Sequence, residues 1–301
     1  MGLRPVSWRF DPLTFPNFCR GLTLRKQLLS LHRRLRKAAP TKGRSAIHTS
    51  TDPIRVLHVT DPHLFADSDS SLRGTVTYSS LQNVLSHIQR SGWGADLVAM
   101  TGDLIQDDSR EAYDRFCELM RPLGLPVYCI PGNHDVRAIM KDALASPEFH
   151  YCESVIHGNW LIAGIDSCIH DDAAGRIDDQ EMERLEKLLD ETTADHVLIC
   201  LHHPPLPVGC KWLDQVGLRN GEEFLRLIAR TGKVRAAIFG HVHQAFEGSH
   251  DSVQIIGTPS TCRQFKVASN EFALDDNPPA YRRISLHPDG RVETELIWLL
   301  D

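Results

Sequence analysis

The chain has 301 residues, 42% of them hydrophobic, enough for one or two domains with a sizeable core. Residues 1–50 carry 11 Lys/Arg against a single acid, Asp11, which leaves 22 basic and 38 acidic residues in the remainder, a formal net of −16 beneath the overall −6. An acidic body argues against broad nucleic-acid binding, and no run of about 18 apolar residues is present to span a membrane.

Residues 1–50 are unlike the rest. Arg25, Lys26, Arg33, Arg34, Arg36 and Lys37 surround leucines, and Ser, Thr, Pro and Gly follow. This basic N-terminal extension is expected to be disordered. It reads as a surface anchor, a transit-type peptide or an over-long translation start, and it lacks the apolar core of a secretory signal.

From Ile54 the pattern becomes regular. Residues 54–60 predict a strand that ends in Asp61-Pro62-His63. Leu81, Val84, Leu85 and Ile88 recur at helical spacing within 79–90. Residues 96–101 predict a strand before Gly102-Asp103, and 109–120 a helix with Ser109 as N-cap and Ala112 and Phe116 on one face. A strand over 125–130 runs into Pro131-Gly132-Asn133-His134-Asp135, and a helix follows over 136–145.

Residues 160–165 predict a strand ending at Asp166, and 178–191 a helix with Met182, Leu185, Leu188 and Leu189 inward. A strand over 196–201 ends at His202-His203-Pro204-Pro205. After a long loop, 206–220, come a helix over 222–230 and a strand over 236–239 that ends in Gly240-His241-Val242-His243. A strand over 253–256 runs into Gly257-Thr258-Pro259-Ser260-Thr261-Cys262. Residues 281–286 and 292–298 flank His287-Pro288-Asp289-Gly290, a hairpin signal. Short apolar strands alternating with amphipathic helices predict an α/β domain. The eight scattered cysteines form no C-x-x-C and read as small buried hydrophobes of a reducing, cytoplasmic setting.

Chemistry collects where apolar runs end, at Asp61/His63, Asp103, Asn133/His134, His202 and His241/His243. Ligands of open α/β sheets bind beyond the carboxyl ends of strands. Two carboxylates, an amide oxygen and five imidazoles hold too many nitrogens for Ca²⁺ and too many ligands for one tetrahedral ion. They suit two transition-metal ions with one carboxylate shared. Extended backbone would aim Asp61 with His63, and His241 with His243, to one side. Any one of these histidines alone reads as an ordinary core or surface residue. His58, His87, His150, His157, His170, His196, His250 and His287 are left in that class.

The order D-x-H, G-D, G-N-H-D, H, G-H-x-H resembles the calcineurin-like metallophosphoesterases, with every signature position filled. Residues 60–72, 103–113, the block from His202 through Trp212-Leu213-Asp214-Gln215 to Asn220, and Thr258–Cys262 with Gln264-Phe265 look like the bacterial 3′,5′-cyclic AMP phosphodiesterases within that superfamily. The likeness covers about residues 54–300 and makes 51–301 the expected domain.

The resemblance implies a four-layer α/β/β/α sandwich with two facing mixed sheets. It implies metal-dependent hydrolysis of cyclic AMP to 5′-AMP, with water activated between two ions. Those ions would be iron or manganese, with zinc or cobalt as alternatives. Asp61, His63 and His243 would hold one metal, Asn133, His202 and His241 the other, and Asp103 would bridge them. His134 would be the catalytic residue beside the phosphate, and His63, Asp103, Asn133, His134 and His243 would contact substrate. Asp135 either orients a ligand or caps the following helix. The loop around Trp212–Asn220 is expected to cover the base or ribose. No nucleic-acid partner is expected, and monomer and homodimer stay open. The rival is another phosphoesterase of the superfamily, acting on 2′,3′-cyclic nucleotides, phosphomonoesters, dinucleoside polyphosphates or lipid-precursor pyrophosphates. A catalytically silent scaffold would have lost ligands, and none is missing.

Overall fold

Successive side chains of the first strand, β1 (Ile54–Val59), enter two different apolar layers. Ile54 and Val56 join one cluster and Leu57 and Val59 the other, as the period of two in a strand requires. The computed structural model describes residues 52–300. The basic extension lies outside the described residues.

The two main sheets contain β1, β2 (Leu97–Thr101), β3 (Val127–Ile130), β4 (Phe149–Tyr151), β5 (Ser154–His157), β6 (Trp160–Gly164), β7 (His196–Cys200), β8 (Val234–Phe239), β9 (Phe246–His250), β10 (Val253–Gly257), β11 (Ala280–Leu286) and β12 (Val292–Trp298). One sheet runs β12-β11-β1-β2-β3-β4, the other β9-β10-β8-β7-β6-β5. Strands β1 to β4 are parallel, as are β10, β8, β7 and β6. The antiparallel strands lie at the margins: β11 and β12 on one sheet, β9 and β5 on the other.

Helices α1 (Thr77–Ser91), α2 (Arg110–Met120) and α3 (Arg137–Ala143) pack on the first sheet through Leu81, Val84, Phe116 and Met140. Helices α4 (Asp179–Glu191) and α5 (Gly221–Arg230) pack on the second through Leu185, Leu189, Phe224 and Ile228. A third cluster fills the space between the sheets, with Val56, Leu97 and Ala99 facing Trp160, Ile162, Leu198 and Ile238. These three apolar layers define a four-layer α/β/β/α sandwich. Each fully buried Leu, Ile or Val there stabilises by about 1.5–3 kcal/mol relative to exposure. Trp160 also satisfies its polar tip: Nε1–H donates to the His287 carbonyl in the β11–β12 turn at 2.8 Å.

The predicted Ser109 cap is present, and Asp178 caps α4 in the same way. Ser109 Oγ accepts the Ala112 N–H, and Asp178 accepts the Glu181 N–H, which satisfies donors left open by a first helical turn. Sequence periodicity missed β4, β5 and β9. These are edge or near-edge strands of three to five residues with partly exposed, polar sequences such as Phe-Glu-Gly-Ser-His, so no apolar run marks them. Three two-stranded hairpins, at 71–76, 168–175 and 264–275, were missed for the same reason. The seven cysteines among the described residues are free thiols, five of them buried.

Candidate metal centre

The five motifs leave the carboxyl ends of β1, β2, β3, β7 and β8, so both sheets deliver side chains to one crevice. Past the strand ends the pairing continues in backbone bonds. Asp61 N–H donates to Gly102 O at 3.1 Å, and His63 N–H to Asp103 O at 3.0 Å.

The extended-backbone expectation for D-x-H and H-x-H is not met. Asp61, His63, Asp103, His241 and His243 all have left-handed φ, between 48° and 64°. That conformation costs about 1–3 kcal/mol per non-glycine residue and persists only where surroundings enforce it. Here Ser260 Oγ–H donates to Asp61 O at 2.7 Å, the His241 N–H to both Asp61 oxygens at 3.1 Å, and Thr60 Oγ1–H to Asp61 Oδ2 at 2.6 Å. Two glycines permit the close approach. A Cβ on Gly132 would lie 2.1 Å from Asp103 Oδ1, and one on Gly240 would lie 2.0 Å from Thr60 Oγ1.

Two groups of side chains result. His243 Nε2 stands 3.1 Å from His63 Nε2 and 3.5 Å from Asp61 Oδ1. Asn133 Oδ1 lies 3.0 Å from His241 Nδ1 and 3.2 Å from His202 Nε2. Asp103 Oδ2 sits between the groups, 3.7 Å from His63 Nε2 and 3.5 Å from His202 Nε2. All the Asp and His members are at most 8% exposed.

The chemistry of this donor set fits cations. His202 Nδ1–H donates to Thr101 O at 2.7 Å, and His243 Nδ1–H to Arg263 O at 2.5 Å. Each carbonyl fixes a tautomer, so each Nε2 presents a lone pair to the crevice. Lone pairs, an amide oxygen and carboxylates converge with few protons to share, and a cation resolves that crowding. Burial, against the pull of Asp103 on His63, brings His63 and His241 down to about 3, so both imidazoles are neutral at pH 7. Burial alone would raise the Asp103 carboxyl, but His202, His134 and His63 outweigh it and hold it well below the usual carboxylate range. Burial likewise opposes charge on His202, yet Asp103 outweighs it and pushes the imidazole up to about 9, so Nε2 carries a proton beside Asp103 that a bound cation would replace.

His134 borders this set without belonging to either trio. Its ring meets His63 edge-on at 5.1 Å between centroids, and its Nδ1 is 3.2 Å from Gln106 Nε2. Asp135 does not cap α3, whose N-cap is Val136 with no side-chain bond. It accepts the Gly132 N–H at 2.8 Å, the Leu104 N–H at 3.2 Å and the Tyr113 hydroxyl at 3.0 Å, and so ties the Asp103 loop to the Asn133 turn. Burial beside Asp103 pushes its carboxyl up to about 7. His203 was left unassigned in the sequence. It is fully buried, bonds Ser167 Oγ through Nδ1 at 2.9 Å and packs against His202 and His241. Its adjacency to His202 was the only available signal.

A family model described as calcineurin-like phosphoesterase matches residues 54–245. The chain belongs to the calcineurin-like phosphoesterase family. Its relatives include the 3′,5′-cyclic adenosine monophosphate phosphodiesterases CpdA of Haemophilus influenzae and Escherichia coli. The first is 37% identical, covering 81% of this chain and 89% of the relative. The second is 38% identical, covering 82% and 90%. Among solved structures, a dimetal phosphatase from Danio rerio aligns with TM-score 0.57 at 17% identity, over 83% of this chain and all of that one. A purple acid phosphatase from yellow lupin aligns with TM-score 0.56 at 14% identity, over 83% of this chain and 54% of that one. Both share the fold. A dinuclear metal centre is a property of this phosphoesterase family, and the buried His/Asp groups suit one. No helix among the described residues is long and apolar enough to cross a membrane.

Proposed function

We propose that this protein hydrolyses 3′,5′-cyclic AMP to 5′-AMP in a metal-dependent reaction and so lowers cyclic AMP in the cell. The observation that carries this reading is the 37–38% identity to curated cyclic AMP phosphodiesterases over about nine-tenths of their length, with the whole ligand set assembled in one crevice. Asp61, His63 and His243 would hold one ion, Asn133, His202 and His241 the second, and Asp103 would contribute to both. Imidazoles with carboxylates and an amide oxygen suit iron or manganese, with zinc or cobalt as alternatives. Ions bound there would lower the pKa of the attacking water and offset charge on the phosphoryl oxygens.

The chain's own residues supply the rest. Hydrolysis adds water at phosphorus and breaks the bond to the 3′ oxygen, which leaves needing a proton. His134 is half-buried at the rim with Nδ1 engaged by Gln106, so Nε2 is the atom left to hold and deliver that proton or to donate to a phosphoryl oxygen. The left-handed backbone at Asp61, Asp103 and His241 keeps the donors in place before substrate arrives, so little reorganisation is needed during reaction. All these residues lie within 61–243. The domain over 51–301 is therefore expected to be sufficient, and deleting residues 1–50 is expected to leave turnover intact.

The test is turnover of cyclic AMP, cyclic GMP, 2′,3′-cyclic nucleotides and p-nitrophenyl phosphate by Mn²⁺-loaded protein, with and without chelator. Chelator-sensitive conversion of cyclic AMP to 5′-AMP is expected. Absence of that product alongside turnover of another ester moves the protein to a different phosphoesterase class.

A further inference from the structure

The cavity over the metal centre, about 250 Å³, has a second wall that the phosphate chemistry does not use. Phe265 lies flat on His243, with ring centroids 4.3 Å apart and planes 11° from parallel. Phe272 and Trp212 meet Phe265 edge-on at 5.5 and 5.1 Å, and each other at 5.4 Å. Phe272 is 45% exposed. The guanidinium of Arg73, also exposed, lies over the Phe272 ring 4.7 Å from its centroid. Arg73 sits in the turn of the 71–76 hairpin, and Phe272 in the connection of the 264–275 hairpin. Both residues line the same cavity as Asn133 and His134.

A partly exposed aromatic side chain beside the candidate metal centre suits contact with a planar ligand group. A flat, electron-poor group already rests on Phe272, which shows that the ring face accepts a planar partner. From His243 the rings lead outward through Phe265 to Phe272, as a nucleotide leads from phosphate to base. We infer that Phe272, Trp212 and Arg73 form a nucleobase subsite, in which the purine lies against the two rings with the guanidinium alongside it. This rests on the phosphodiesterase reading above and extends it to substrate selection. Stacking reads the presence of a base and not its hydrogen-bond pattern, with Arg73 adding cation–π attraction. The subsite therefore separates nucleotides from base-free phosphates and discriminates adenine from guanine only weakly.

The test is calorimetric binding of 5′-AMP and of ribose 5-phosphate, which lacks the base, to the Mn²⁺-loaded full chain. Wild type is expected to bind 5′-AMP tighter by about 5- to 150-fold, the range of one stacked base. Phe272→Ala and Phe272→Leu are expected to abolish most of that ratio, whereas Phe272→Tyr keeps it. Arg73→Ala lowers it and Arg73→Lys restores part of it. The leucine variant separates stacking from simple apolar cover, and thermal melts confirm folding. Equal affinity of wild type for the two ligands, or an unchanged ratio in Phe272→Leu, overturns the subsite. Failure to hydrolyse cyclic AMP overturns the phosphodiesterase reading separately, because the binding ratio is read without turnover.

Discussion

The backbone N–H of His134 donates to Asp103 Oδ1 at 2.9 Å. One carboxylate oxygen is thereby committed to the turn that carries Asn133 and His134, and Oδ2 is left facing His63 and His202. Asp103 thus positions the turn while standing between the two ligand groups.

Removing it is expected to affect both roles. Asp103→Ala should lose metal content and activity together, with loss of at least one of the two ions measured by inductively coupled plasma mass spectrometry. Full retention of both ions in the variant contradicts a shared carboxylate.

His134 is the counter-case. His134→Ala should keep both ions and lower kcat by about 10²–10⁴-fold, the usual range for a general acid. Near-wild-type kcat on cyclic AMP removes His134 from the proton-delivery role. Gln106→Leu, which strips the partner of Nδ1, should lower kcat by a smaller factor at unchanged metal content.

Asp135 is a tie between loops. Asp135→Ala leaves the Gly132 and Leu104 N–H groups without an acceptor, at about 1–3 kcal/mol for each buried donor. Tyr113→Phe removes one hydroxyl that donates to Asp135 and accepts from the Val136 N–H at 2.9 Å, and should destabilise less. Urea unfolding of the two variants measures the order. A helix-capping role for Asp135 would instead predict similar small losses in both.

His58 carries a pH signature away from the ligands. It is fully buried between the sheets, with Nε2 2.8 Å from Thr101 Oγ1 and Nδ1 2.7 Å from Thr258 Oγ1. Burial, aided by the charge of Arg282, lowers its pKa from 6.5 to about 3. As pH falls through 6.5 the unfolded chain gains a proton that the folded chain refuses. Stability contributed by neutral His58 is therefore complete above about pH 6.5 and declines toward pH 3, by up to about 1.4 kcal/mol per pH unit. In chelator, the unfolding free energy of wild type should fall more steeply from pH 6.5 to 4 than that of His58→Gln. Parallel curves would show that His58 does not carry this pH dependence.

Much of the site was legible because each motif follows an apolar run long enough to mark a buried strand. Asp61, His63, Asp103, Asn133, His134, His202, His241 and His243 all come to the crevice expected for them. The helices with amphipathic faces, α1, α2 and α4, were legible from their local pattern, α2 with its Ser109 cap as well. The strands β5 and β9 were not, since edge pairing leaves half of each strand in water and demands no apolar pattern. Nor was the use of Asp135, because a carboxylate beside a helix start is equally suited to capping.

By itself the sequence determined the identity and order of the candidate ligands and the strand ends that bear them, through local hydrophobic patterning and residue chemistry. Only the tertiary structure decided how they converge. Two sheets stacked through Val56, Trp160 and Leu198 bring His202 to Asn133 across 69 residues of chain, and long-range contacts hold Asp61, Asp103 and His241 in a left-handed backbone that local preference disfavours. The aromatic wall likewise exists only because the 264–275 hairpin meets Trp212 of a distant loop beside His243.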